Sequence, residues 1–598
     1  MTGAGRGAPA RSARLLLALA AVAVAFAAAD TYVVVLALPD MMAGVGLSIE
    51  ELQRAAHLVS GFLLGYVAML PLIGRIADLR GRLPVLVAGL IVFAGGSLLT
   101  ALAYDLPSMV AGRFLQGVGG GALVPATLAL VADLYPVERR GVPLGLVSAV
   151  QELGSVLGPL GGAVVLALAD WRGIFLVNLV VGVVLALALR RLGATARSTT
   201  AESALVHATP RRFPDPIGLL LLLVLLAAFL LAAIEPSGMM RDLTWGRLFI
   251  PVAGSGRWLT PLGLTTIGAA VLLVARCLTA RRPLVDLRGW ARSARDVDLF
   301  GAFLLALALG GVILAFATAD PEVQVFSSQG RWYLVAAAVA ALALAVHLRR
   351  AADPLIPPGA LRRTPAWGSV LVSFFVGAAL VAALIDIPLF ARTTIYGDSQ
   401  LEAALVLLRF LVALPVGAVG GGYLTRRLPA GVVAGTGMAL AALGFMLMTR
   451  WDADTLHHAT ASVPLVVGGL GFGLALAPVN AAVLATTDSA VHGLTSSLVV
   501  VARMVGMLVG ISGLTTLGLR RYYSEQADLP PIAQVCGAGR GLCDRYEDLL
   551  QGAGIAQEHT VFAGAAVAAL AAGVLALALF RHAPTRGVGT REALSALG

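Results

Sequence analysis

Sixteen apolar stretches, each of about 18 residues or more, divide this chain and leave most of its charge in the breaks between them. They run roughly over 15–38, 57–77, 83–104, 108–133, 142–168, 172–191, 215–235, 260–279, 298–319, 331–349, 366–390, 402–424, 430–449, 462–486, 493–519 and 560–581. At about 1.5 Å per residue, each can cross the ~30 Å hydrocarbon core of a bilayer as a helix. The fold class this predicts is an all-α polytopic membrane protein.

Composition agrees. Only 13% of the 598 residues are charged against 59% hydrophobic, too little charge to clothe a soluble surface. The net charge of +10 comes entirely from arginine, because the chain contains no lysine. Basic clusters fall at alternate breaks, in 75–82, 138–140, 190–212, 276–295, 349–363 and 426–427. The opposite breaks are acidic or mixed, as at Asp40, Glu50 and Glu51, or Asp452 and Asp454. Such alternation follows the positive-inside rule and is not a nucleic-acid patch. With an even number of spans, both termini are expected in the cytoplasm. The first stretch follows Arg6, Arg11 and Arg14 but is too long for a signal peptide's apolar region, and it carries Asp30. It reads as the first span.

The spans group into two sixes. Residues 1–192 form a first six-helix half and 366–598 a second, joined by a central linker, 193–365, with two inserted hairpins at 215–279 and 298–349. The hairpins look like a tandem duplication. One opens on Asp215 and Gly218 and closes on Pro283, Leu284 and Val285. The other opens on Asp298 and Gly301 and closes on Pro354, Leu355 and Ile356. The weak span 331–349 could instead be amphipathic or re-entrant. A polar extracytoplasmic loop is expected at 520–559; in it Cys536 and Cys543 could close a disulfide or remain two thiols. Cys277 reads as buried and inert.

Several polar and small residues break the apolar runs. Gly154, Gly158, Pro159, Gly161 and Gly162 lie within the fifth, behind Gln151 and Glu152. They remove bulk and soften the backbone, so that a neighbouring helix can pack closely and shift. Gly74, Asp78, Gly81 and Arg82 mark the turn after the second span, where the glycines permit a tight turn and the charges can pair across an opening interface. Arg113, at membrane depth in the fourth span with Gln116 and Gly117, needs a partner or a cavity. Glu152 and Arg503 each lie roughly ten residues inside spans that enter from the cytoplasm, hence about 15 Å deep and near the bilayer centre. They fall on the fifth and eleventh helices of a twelve-helix core and form either a conformational lock or a permanent packing pair. Asp30, about 22 Å along the first span, is the leading proton carrier, with Glu152 second. Asp386 is its rough counterpart in the second half, or simply interfacial. His57, Arg409 and Asn480 read as packing or cavity-lining residues.

These motifs together resemble a known family. The turn at 74–82 resembles the signature loop of the major facilitator superfamily; the glycines of 154–162 resemble its antiporter motif; and Arg113, Gln116 and Gly117 resemble the second signature of drug:proton antiporters. Asp30-Thr-Tyr, Leu64-Gly-Tyr66, the run from Gln151 to Pro159 and the run from Val499 to Arg503 and Leu508 are similar to the mycobacterial triacylglyceride transporters, a multidrug-efflux-associated subfamily of the 14-helix branch. The resemblance implies a major facilitator fold and proton-coupled export of lipids toward the cell envelope. It also implies roles for Asp30, Glu152 and Arg503 in transport, and a periplasmic lipid-carrying lipoprotein as partner. The residues alone serve sodium coupling as well. This chain departs from the pattern in its second central hairpin and in Arg409.

Three function classes follow. One is a lipid exporter in the bacterial inner membrane, acting on membrane lipids as a monomer and needing no cofactor beyond an ion gradient. Another is a polyspecific drug:proton antiporter sharing every motif above. The third, a membrane scaffold or embedded enzyme, has the weakest support, because no paired metal ligands, nucleophile elbow or nucleotide-binding glycine loop sits in a suitable setting. The chain is not expected to be an enzyme.

Overall fold

The computed structural model describes residues 11–46, 52–198, 215–253, 256–281, 283–317, 329–396, 399–536 and 543–585. Among these, nineteen α-helices occur in chain order. The first half contains α1 (Arg11–Gly44), α2 (Leu52–Arg80), α3 (Arg82–Ala101), α4 (Leu106–Leu134), α5 (Gly141–Leu168) and α6 (Arg172–Ser198). The centre holds α7 (Pro216–Ile234), the one-turn α8 (Ser237–Met240), α9 (Pro261–Thr279), α10 (Leu287–Arg295), α11 (Leu299–Ala317) and α12 (Gly330–Arg350). The second half contains α13 (Thr364–Thr394), α14 (Gln400–Leu424), α15 (Ala430–Met448), α16 (Ser462–Thr486), α17 (His492–Ala527), α18 (Ile532–Cys536) and α19 (Asp544–Leu579). Among the described residues, fifteen helices are long and apolar enough to cross a membrane. The 28-residue α5 is a further long helix, packed along α1 and α14.

Local chemistry starts several of these helices. Asp105 accepts the amide of Ser108 at 2.9 Å in a capping box that opens α4. Thr260 caps α9 through the Gly263 amide, with Pro261 in the first turn.

The two halves repeat one packing scheme. In the first, α1 packs on α5, α4 on both α2 and α3, and α3 on α6. In the second, α13 packs on α17, α16 on both α14 and α15, and α15 on α19. Glycines give the register. Gly154 and Gly158 of α5 lie against the backbone of Ala25 and Ala29 in α1; Gly506 and Gly510 of α17 lie against Phe374 and Ala378 in α13. The halves meet through α5 on α14 and α17 on α2, which exchange under the same pseudo-two-fold.

This register corrects one expectation. The residue of α13 equivalent to Asp30 is Ala379, because Ala29 corresponds to Ala378; Asp386 lies two turns farther along. Nor is Asp386 interfacial: it is buried, as is Glu558 of α19, and the two carboxyls lie within range of each other's charge. Glu558 escaped the sequence reading because it falls just before the assigned span 560–581.

The central helices form two hairpins, α7 with α9 and α11 with α12, so 331–349 is one continuous helix. Each hairpin carries the same device. Asp215 takes a bidentate pair from Arg276 at 2.9 Å, and Asp298 binds His347 at 2.8 Å. The α11 helix leans on both α2 and α17, beside the seam between the halves.

The expected loop at 520–559 is much shorter. Both α17 and α19 have 36 residues, about 54 Å of helix each, and overshoot a ~30 Å hydrocarbon core. Cys536 and Cys543 are disulfide-bonded in the connection between them.

Candidate functional site

Four layers of polar chemistry cross the apolar bundle. The first lies inside the first half. Asp30 on α1 is 1% exposed and pairs with Arg113 of α4 at 2.8 Å. Asn178 of α6 donates a short hydrogen bond to the same carboxylate, with the Gln116 amide at 3.5 Å. Arg113 also donates to Gln116 Oε1 at 2.9 Å, and Gln116 donates to Ser97 Oγ of α3 at 2.9 Å. The Phe62 ring covers the guanidinium at 4.4 Å, shielding it from water. The cation that Arg113 required a partner for is thus Asp30's own counter-ion. Such a network compensates a buried carboxylate with a cation and amide donors. Ser97, and Thr100, which donates to Gln116 Oε1 at 3.3 Å, were not singled out from sequence; a polar residue recurring at membrane depth on α3 was the available signal.

The second layer joins the halves. Glu152 of α5 and Arg503 of α17 approach to 3.7 Å, an ion pair too long for a hydrogen bond. Both side chains are mostly buried, and Tyr66 lies within range of their charges. A small cavity of about 20 Å³ beside Arg503, with Ser148, Gln151, Ser373 and Asn480 among an otherwise apolar lining, has space for about one water.

The third layer is the glycine run of α5 beside Asp30 and Asn178. Gly154, Gly158 and Gly162 do not face the opposite half; they seat α1 through Ala25, Ala29 and Val33. Gly161 has open space where a side chain would be. It borders a cleft of about 300 Å³ between α1, α5 and α6, apolar except for Asp30 and Asn178. Pro159 lies in α5, and its side chain is outside the described residues.

The fourth layer closes the arginine-rich face. Asp78, its side chain fully buried, accepts the amides of Gly493 and Leu494 at 2.7 and 2.9 Å, at the start of α17. A carboxylate at a helix N-terminus meets unpaired N–H groups and the positive end of the dipole. Arg82 pairs with Asp78 at 2.7 Å and donates to Ser489 O at 2.9 Å in the other half. Gly81 takes φ 95° to turn the chain between α2 and α3. Across the pseudo-two-fold, Gly141 of α5 meets Gly422 of α14, and Arg140 donates to Leu484 O at 3.0 Å. Gly117 of α4 lies against the backbone of Phe62 in α2, fixing the wall beside Arg113. Of the predicted residues, Arg113 and Gln116 therefore join Asp30, Glu152 joins Arg503, and Asp78 joins Arg82.

Comparison with known proteins places the chain. Residues 20–348 match the model of the Major Facilitator Superfamily. A triacylglyceride transporter of Mycolicibacterium hassiacum is 34% identical over 519 residues, 84% of this chain and 80% of that protein. One from Mycobacterium tuberculosis is also 34% identical, covering 87% of this chain and 86% of its own length. Among solved structures, the human organic anion transporter MFSD10 (TETRAN) superposes with a TM-score of 0.51 at 14% identity, covering 94% of this chain and 99% of that one, a likeness of fold alone. The repeated packing of the two halves and these relatives together make the chain a transporter of the Major Facilitator Superfamily, in the family of the mycobacterial triacylglyceride transporters.

Proposed function

We propose that this transporter exports lipids of the triacylglyceride class from the inner leaflet of a bacterial cytoplasmic membrane toward the periplasm, driven by protons. The observation that carries the reading is the Glu152–Arg503 pair, which ties the two halves at mid-depth where only a change of conformation or protonation can part them. The arginine-rich face is the cytoplasmic one, and the gate there is shut. Protonation of Asp30 would release Arg113 from the α1–α4–α6 network, and protonation of Glu152 would release Arg503, so that the halves rock about α5 and α17.

Three features support a lipid cargo. The relatives carry that name. The cleft beside Asp30 is lined by apolar side chains and glycines apart from Asp30 and Asn178. The α17 and α19 helices reach past the bilayer, where cargo without water solubility needs a surface to follow and a lipid-carrying lipoprotein to receive it. The test is transport in proteoliposomes under an imposed pH gradient, with labelled triacylglyceride and a cationic dye offered separately. Gradient-driven movement of the lipid supports the proposal. Movement of the dye alone makes the protein a drug:proton antiporter instead.

A further inference from the structure

The nine-residue helix α10 lies between the two central hairpins, and the sequence reading absorbed it into a charged turn. It joins the end of α9 to the start of α11, so it sits at the membrane surface on the arginine-rich face. Its two polar faces do different things. Asp286, at its N-cap, pairs with Arg80 at 3.0 Å; Ser293 accepts from the same guanidinium at 3.4 Å; the Trp290 ring lies 4.5 Å beneath it. At about 100° per residue these three groups share one side of the helix. Arg80 is the last residue of α2, two positions from Asp78 and two from Arg82, the pair that binds the other half.

The opposite side carries Arg288, Arg292 and Arg295, spaced i, i+4, i+7, and all three are exposed. Arg288 donates its Nε to the carbonyl of Leu278, and its exposed terminal nitrogens bond no described residue. Three guanidiniums in a row on an exposed helix face, between the ends of two spans, match the charge and the planar donor geometry that phosphate oxygens accept.

We propose that α10 is a binding site for the headgroups of anionic phospholipids in the cytoplasmic leaflet, and that occupancy steadies Arg80 and with it the closed gate. The inference rests on the alternating gate proposed above. Lipid on the arginine face holds the helix; the helix holds Arg80; Arg80 fixes the end of α2 against the start of α17.

The test uses the full-length protein in vesicles of phosphatidylcholine, with or without phosphatidylglycerol. Ser497 is buried beside Gly74 in the gate, so Ser497→Cys in a Cys277→Ser background reports gate opening by maleimide alkylation. Phosphatidylglycerol is expected to slow alkylation about fivefold or more, the lower bound of ordinary coupling between sites. R288S/R292S/R295S should lose both the slowing and the phosphatidylglycerol that co-purifies by mass spectrometry. R288K/R292K/R295K, which keeps the charge, should retain much of each. Asp286→Asn separates binding from coupling: lipid should still co-purify while the slowing is lost. Phosphatidylglycerol dependence that survives the triple serine change overturns the inference, and so does equal slowing by inorganic phosphate in phosphatidylcholine alone. A cysteine that never reacts in any lipid contradicts both the gate and its regulation; one that reacts at the same rate in both lipids contradicts the regulation only.

Discussion

Gly74 of α2 and Gly493 of α17 face each other so closely that a Cβ on either would lie 2.5 or 2.4 Å from the other's carbonyl oxygen. The contact joins the two halves backbone to backbone, next to the Asp78 carboxylate that caps α17. Gly141 and Gly422 repeat it on the other seam, with a Cβ on either 2.3 Å from the opposing carbonyl. No side chain fits at either crossing while the gate is shut.

Alanine at Gly74 or Gly493 therefore favours the open gate. Overpacking of this kind costs about 1–3 kcal/mol, charged here only to the closed state. Alkylation of Ser497→Cys should accelerate about fivefold or more in Gly493→Ala. An unchanged rate would show that the crossing tolerates a methyl group and does not set the gate.

Asp30 and Arg113 test whether the buried network is machinery or mere structure. Asp30→Asn strands a buried guanidinium, at a cost of about 3–5 kcal/mol. Asp30→Asn with Arg113→Gln removes both charges and should recover most of the thermal stability while transport stays lost. Recovery of gradient-driven transport in the double variant would mean that the pair serves packing alone.

The Glu152–Arg503 pair predicts a different pattern, because it joins the halves rather than one half to itself. Arg503→Met removes this tie and should let the halves part more readily. Spin-label distances across the two faces read this directly. The distribution should gain an open population in the variant. An unchanged distribution would count against a lock.

Asp286 sets the acid limit of the α10 contact. The Gly289 amide and the Arg80 guanidinium hold its carboxyl below the ordinary aspartate range, against the smaller effect of burial. A depressed folded-state pKa stabilises above the unfolded value, about 3.9, and that stabilisation is lost as pH falls through the folded value. The contact should thus be unaffected by a change from neutral to mildly acidic pH and fail only in stronger acid. Limited proteolysis of the α9–α11 connection across pH checks it; a break near neutrality would contradict the assignment.

Much of this was readable from the chain because lipid is an unforgiving solvent. Sixteen apolar runs became sixteen long helices, since uncompensated backbone cannot enter hydrocarbon. Equal depth made Glu152 and Arg503 candidates for a pair without bringing them together, and Arg113 announced a partner without naming it. What stayed hidden depends on lateral position. Asn178 reaches Asp30 only because α6 packs behind α1. The glycines at 154–162 read as a sliding surface, but which helix they seat comes only from packing. The α10 helix was too short for a span and too basic to stand out from an ordinary cytoplasmic turn. The outer ends of α17 and α19 are polar, so hydropathy stopped before the helices did.

The most direct test of proton-coupled export is gradient-driven triacylglyceride movement in proteoliposomes, comparing the native protein with Asp30→Asn at matched protein content. The account predicts transport that follows the imposed pH gradient in the native protein and is abolished in Asp30→Asn, with the variant still folded. Lipid movement that persists at the native rate in Asp30→Asn, or that ignores the gradient in both proteins, would contradict it.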